Sequence, residues 1–111
     1  MMIANLLFSQ IVPTAAPDDF TIRVLDSMSL QLSWSPPPTE HRNGEILEYR
    51  IRIVEVETGR EMQYNSTSTS MTASPLHPYY SYQCRVAAVT TAGIGPFTTV
   101  VEQRTDQDGT F

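Results

Sequence analysis

A single cysteine and two histidines limit the covalent chemistry open to this chain, and Cys84 follows closely on His77. A Cys–His pair can supply nucleophile and base when the thiol is exposed beside a cation and the imidazole reaches it. Cys84 alternates in phase with Tyr82 and Val86, which turns it toward a core, whereas His77 falls in the proline-flanked turn before that run. The expectation is a buried, inert thiol and a solvated imidazole. His41 is the only other histidine, so no His/Cys cluster has the spacing of a metal site. Asp106-Gln107-Asp108-Gly109 opens like a calcium loop but lacks the later ligands and the closing glutamate, and reads as linker. Glu55 and Glu57 are two residues apart, on one strand face, with no apolar surround to separate their pKa values; a solvated face is expected rather than an acid/base pair. Gly93-Ile94-Gly95 lacks the third glycine and the helix of a phosphate cradle. No catalytic residue, cofactor site or metal ligand follows from the sequence.

Two groupings suit recognition instead. Arg50 and Arg52 alternate outward along one apolar run and Arg85 along another, which makes them a possible interaction face for a protein or acidic glycan; the plainer alternative is cross-strand charge pairing on a wet sheet. Asn65-Ser66-Thr67 is an acceptor triplet for N-glycosylation in a polar stretch between two short strand candidates. Three Asn and 23 Ser or Thr in 111 residues would give roughly 0.6 such triplets by chance, so the triplet counts only if Asn65 is exposed.

The elements that must position these residues have a period of two. Phe20, Ile22 and Val24 alternate with polar residues; so do Met28, Leu30, Leu32 and Trp34, then Leu47, Tyr49, Ile51 and Ile53, then Tyr80, Tyr82, Cys84, Val86 and Ala88. Shorter candidates are 62–65, 69–73 and 98–104. Between them lie turn formers: Ser35 to Pro38, Asn43-Gly44, Thr58-Gly59, Pro75 with Pro78, and Gly93 to Pro96, where Gly93 and Gly95 would allow positive φ. Seven short alternating strands so punctuated predict an all-β fold, an immunoglobulin-like seven-stranded antiparallel β-sandwich. The expected core includes Trp34, Tyr49, Leu76, Tyr82, Cys84 and Val86. One domain is expected over residues 17–105, after an N-terminal extension or linker remnant (1–16) and before a C-terminal linker (106–111). Phe8-Ser9 with Ile11, Val12 and Thr14 loosely echoes Phe97-Thr98 with Val100, Val101 and Thr105, which suits a piece of a tandem array.

Composition narrows the partners. Seven positive charges, all arginine, against twelve negative ones give a net charge of −5, which argues against nucleic acid. No apolar run is long enough to cross a bilayer, so the domain itself is not expected to insert. One cysteine allows no internal disulfide, and a monomer is expected in isolation.

Trp34-Ser35-Pro36-Pro37, Gly44-Glu45-Ile46 leading into Tyr49-x-Ile51-x-Ile53, Leu76-x-Pro78-x-x-x-Tyr82, Arg85-Val86-x-Ala88 and Gly93-x-Gly95-Pro96 occur in the order seen in fibronectin type III domains. Over residues 17–105 the chain resembles that family, most closely the modules of receptor-type tyrosine phosphatase ectodomains. Tyr82-Gln83-Cys84 imitates the strand-F motif of immunoglobulin domains, but Cys84 has no second cysteine to pair with. The resemblance implies that Tyr82 forms a tyrosine corner, its hydroxyl returning to backbone near Leu76. It also implies a non-catalytic interaction and spacer module in the extracellular part of a plasma-membrane receptor, a receptor-type tyrosine phosphatase or an adhesion receptor, with protein partners or neighbouring domains of the same chain and no cofactor. Phosphatase activity in such a parent would lie elsewhere. An intracellular scaffold module, as in muscle filament proteins, is the alternative.

Overall fold

Alternating side chains give each strand one dry and one wet face, and two sheets form by pressing the dry faces together. A computed structural model describes residues 12–107 of the chain. The echo beginning at Phe8, most of the N-terminal extension, and Asp108 and Gly109 lie outside the described residues. One sheet is β1 (Asp18–Asp26), β2 (Ser29–Ser35) and β5 (Ser70–Ala73), in the order β1-β2-β5. The other runs β4 (Glu61–Ser66), β3 (Glu48–Glu55), β6 (Ser81–Thr90), with β7 (Gly93–Ile94) and β8 (Val101–Arg104) both pairing with β6. All pairings are antiparallel. The fourth strand joins β3 rather than β5, which departs from the immunoglobulin constant-type partition, where it would extend the first sheet.

The strand expected over 98–104 is regular only over Val101–Arg104, and a two-residue strand precedes it in the stretch expected to be a turn. Thr91 and Ala92 turn the chain so that Gly93 and Ile94 pair back onto Thr90 and Val89. Pro96, which has no N–H to give a ladder, then interrupts the edge. The chain stays beside β6 through the interruption, because the Thr98 N–H donates to the Val86 carbonyl at 2.9 Å and the Thr98 hydroxyl accepts from the Val86 N–H at 3.2 Å. Regular pairing resumes with Val101 opposite Cys84.

Leu30, Leu32, Ile51, Ile53, Tyr82, Cys84, Val86 and Ala88 are fully enclosed, and Trp34, Tyr49 and Leu76 nearly so. Two alternations break at their first residue. Met28 is exposed because it belongs to the β1–β2 turn, where its N–H bonds the Asp26 carboxylate at 2.8 Å. Leu47 is exposed because β3 begins one residue later. Ser81 and Ala87, expected outside, are buried. The Ser81 N–H donates to Glu57 at 2.9 Å, and the Ala87 methyl is shorter than the Arg50 side chain in register with it.

Of the two glycines before Pro96, only Gly93 has positive φ, at 135°. Gly95 is needed for space: a Cβ there would stand 2.8 Å from Pro13 Cβ and 3.0 Å from the Pro13 carbonyl oxygen. Pro13 is fully buried, and its neighbours are tied down by Asn43 Nδ2 donating to the Val12 carbonyl at 3.0 Å and the Thr14 N–H donating to the His41 carbonyl at 2.8 Å.

Candidate functional site

Alternation along β3 carries an inward phase through Tyr49, Ile51 and Ile53 to its last residue, Glu55. The expectation of a solvated Glu55–Glu57 face is therefore wrong. Glu55 is 2% exposed, whereas Glu57 lies past the strand end and is exposed. A buried carboxylate must be hydrogen-bonded or neutral, and Glu55 is well supplied. The Thr58 hydroxyl donates to Oε1 at 2.6 Å, the Tyr82 hydroxyl donates to Oε2 at 2.8 Å, and His77 Nδ1 lies 2.8 Å from the same Oε2. These bonds, led by the one from Thr58, outweigh the cost of burial and hold the Glu55 carboxyl at about 2, below its ordinary value.

The tyrosine corner thus has a partner that the sequence reading missed. The Tyr82 hydroxyl accepts from the His77 backbone N–H at 2.8 Å, as expected near Leu76, and donates its own hydrogen bond to Glu55. Burial, with the Glu55 charge adding to it, pushes the Tyr82 phenol up to about 12. Thr105 completes the corner: its hydroxyl donates to the His77 carbonyl at 2.7 Å and accepts from the Tyr80 N–H at 3.2 Å. The buried members of this constellation, Glu55 and Tyr82, are satisfied by internal hydrogen bonds.

Cys84 stands opposite Ile53 on one side and Val101 on the other, fully buried, and burial pushes its thiol up to about 12. Since His77 is engaged by Glu55, no Cys–His dyad is assembled. A thiol in this state reacts only when the domain opens. Labelling of Cys84 by a thiol reagent is expected to be roughly a thousandfold slower in native buffer than in denaturant, set by the folding equilibrium. Native labelling at the denatured rate, or a disulfide dimer on a non-reducing gel, would contradict this. Among the described residues no three His, Cys, Asp or Glu side chains could hold a metal ion.

The predicted interaction residues do come together. Arg50, Arg52 and Arg85 share the outer face of β3 and β6, with Arg52 directly opposite Arg85. Arg52 pairs with Glu61 of β4, and Arg50 lies 3.6 Å from Glu48. Arg50 Nε also donates to Asn65 Oδ1 at 3.1 Å. Asn65 is exposed, but within β4 rather than in the connection after it. Phe97, which the sequence reading did not single out, lies between the two opposed arginines, with the Arg52 and Arg85 guanidinium carbons 5.7 and 5.2 Å from its ring centroid. Its place just after the Pro96 interruption, on a chain running beside β6, is the signal that could have found it.

The family model described as "Fibronectin type III domain" matches residues 15–104. Sidekick-2 of Gallus gallus is 34% identical over 107 residues, 93% of this chain and 5% of that protein. Receptor-type tyrosine-protein phosphatase F of Homo sapiens is 30% identical over 94 residues, 85% of this chain and 5% of that protein. The crystal structure of the FN5 domain of Drosophila Lar superposes with a TM-score of 0.71 at 26% identity, covering 87% of this chain and all of that one. The chain thus spans about a twentieth of the curated relatives it matches.

Proposed function

The chain belongs to the fibronectin type III family, and from that premise we propose that it serves as a non-catalytic interaction and spacer module in the extracellular part of a larger plasma-membrane receptor. The observation that carries this reading is how its reactive groups are used. Glu55, Tyr82 and Cys84 are buried in the sandwich and His77 is hydrogen-bonded to Glu55, whereas the half-buried arginines of the outer face of β3 and β6 remain open to a partner. Receptor-type relatives supply the setting. The parent is of the receptor-type phosphatase or the adhesion-receptor class, and in a phosphatase parent hydrolysis is performed by another part of that chain. The test is an antibody raised against this domain and applied to intact cells making the full-length parent: staining without permeabilisation is expected, and staining only after permeabilisation would replace the reading with an intracellular scaffold.

Asn65 gives an independent measure of the same compartment. Its side chain is exposed on β4, and Ser66 and Thr67 complete the acceptor triplet. Secretion of the chain from animal cells is expected to yield a product that loses mass on N-glycosidase treatment, with Thr67→Ala abolishing the shift. An unshifted product would remove Asn65 as a glycan site.

A further inference from the structure

Arg52 and Arg85 are Cα partners across β3 and β6, a register in which two like charges repel. The Phe97 ring offsets part of that repulsion, since both guanidinium groups lie within reach of its face. The carboxylates nearby are otherwise engaged. Glu61 is paired with Arg52, Glu48 lies with Arg50, and Glu102 accepts from Gln83 Nε2 at 3.1 Å. Arg85 has no carboxylate partner among the described residues and is only half-buried. Two cations held side by side on one aromatic ring, with one of them uncompensated, leave room for one more negative charge.

We propose that Arg85, Arg52 and Phe97 form a binding site for an acidic side chain of a partner protein, the carboxylate seated on the Arg85 guanidinium and its methylene stem lying against the Phe97 ring. The proposal rests on the interaction-module reading and names the chemistry of that module's partner. Charge complementarity selects a protein over a polyanion. Glu48, Glu61 and Glu102 stand among Arg50, Arg52 and Arg85, so there is no extended positive field for a sulfated glycan, and among the described residues only Arg85 of the three arginines lacks an ion pair of its own. Arginine and aromatic side chains in a partly desolvated setting are also the composition that concentrates binding energy at protein interfaces.

The experiment is a titration of the folded chain followed by nitrogen–proton correlation for the Arg Nε–H signals and by aromatic carbon–proton correlation for the Phe97 ring. The probes are an N-acetylated hexapeptide of alternating Glu and Ala, its Gln counterpart and a heparin tetrasaccharide. The Glu peptide is expected to move the Arg85 and Phe97 signals while the Gln peptide leaves them in place. Arg85→Gln, a change on a wet face, is expected to keep the thermal midpoint and weaken peptide binding about ten- to a hundredfold, the worth of one charge-assisted hydrogen bond. Unmoved Arg85 signals, an Arg85→Gln variant that binds as well as wild type, or tighter binding of the tetrasaccharide than of the Glu peptide would each overturn the proposal. The antibody test on intact cells decides the module's location separately, so the two readings can fail independently.

Discussion

Replacing Trp34 by alanine is expected to lower the unfolding free energy by about 3–5 kcal/mol, the range for deleting a large aromatic side chain from a core. Trp34 is 5% exposed and bridges the two sheets: from β2 it meets Tyr49 of β3 edge-on at 5.4 Å between ring centroids, with Phe20 of β1 at 6.4 Å on its other side. Its removal opens the space that these rings share, and strands in two sheets can close such a gap only by moving together. For a domain of this size, whose whole stability is roughly 5–15 kcal/mol, the loss is a large fraction of the total. The indole also carries a cost. Trp34 Nε1 is buried without a hydrogen-bond partner, and an unpaired buried donor costs about 1–3 kcal/mol. Trp34→Phe deletes that N–H together with one ring, so its penalty should stay below about 2 kcal/mol, well short of the alanine variant. Because Trp34 is the only tryptophan, urea titrations of both variants must be followed by far-ultraviolet circular dichroism. A cost below about 1 kcal/mol for Trp34→Ala would mean that the ring does not tie the sheets together.

The period of two made the strands, the antiparallel sandwich and its core readable from the chain, since a half-buried strand cannot be built any other way. It failed at element ends, where turn chemistry overrides alternation: Met28 obeys the Asp26 turn, and the strand expected from Thr98 begins only at Val101. The same period contained a signal that went unused. Tyr49, Ile51, Ile53 and Glu55 share one phase, so Glu55 points inward, but a carboxylate at the end of an apolar series invites the assumption that the strand has already reached solvent. What reverses that assumption is non-local. Thr58 comes from the following turn, whereas His77 and Tyr82 come from beyond β4 and β5 in sequence, Tyr82 as the direct cross-strand partner of Glu55. The arginine face divides similarly. Outward alternation placed Arg50, Arg52 and Arg85 together, but the Arg52–Arg85 register and the Phe97 ring between them depend on how β6 pairs and on where the chain leaves it.

That buried carboxylate sets the second large effect, an acid-dependent loss of stability. Glu55 lies at about 2 in the folded domain against an ordinary 4.5, so the folded state binds its proton less readily than the unfolded state. A depressed carboxyl contributes stability that is complete above the unfolded value and is lost as pH falls through the folded one. The loss therefore begins near pH 5 and is complete only about one unit below the folded value of about 2. Glu55→Gln preserves size but removes the charge and leaves one acceptor oxygen for the Thr58 and Tyr82 hydroxyls and His77, which now face an NH2 donor at the other position. Hydrogen bonds to a charged group contribute about 1.5–3 kcal/mol each, and the variant keeps some of them, so a loss of about 2–3 kcal/mol at pH 7 is expected. His77→Ala should cost less, because that ring is 54% exposed and its hydrogen bond to Glu55 competes with water. Urea titrations of wild type and Glu55→Gln from pH 7 down to pH 2.5 separate this carboxyl from the other acidic residues, whose protonation is common to both proteins. The two stability curves should stand apart at neutral pH and draw together below pH 5. A gap that stays constant down to pH 2.5 would assign the effect to packing at the tyrosine corner and not to the charge held there.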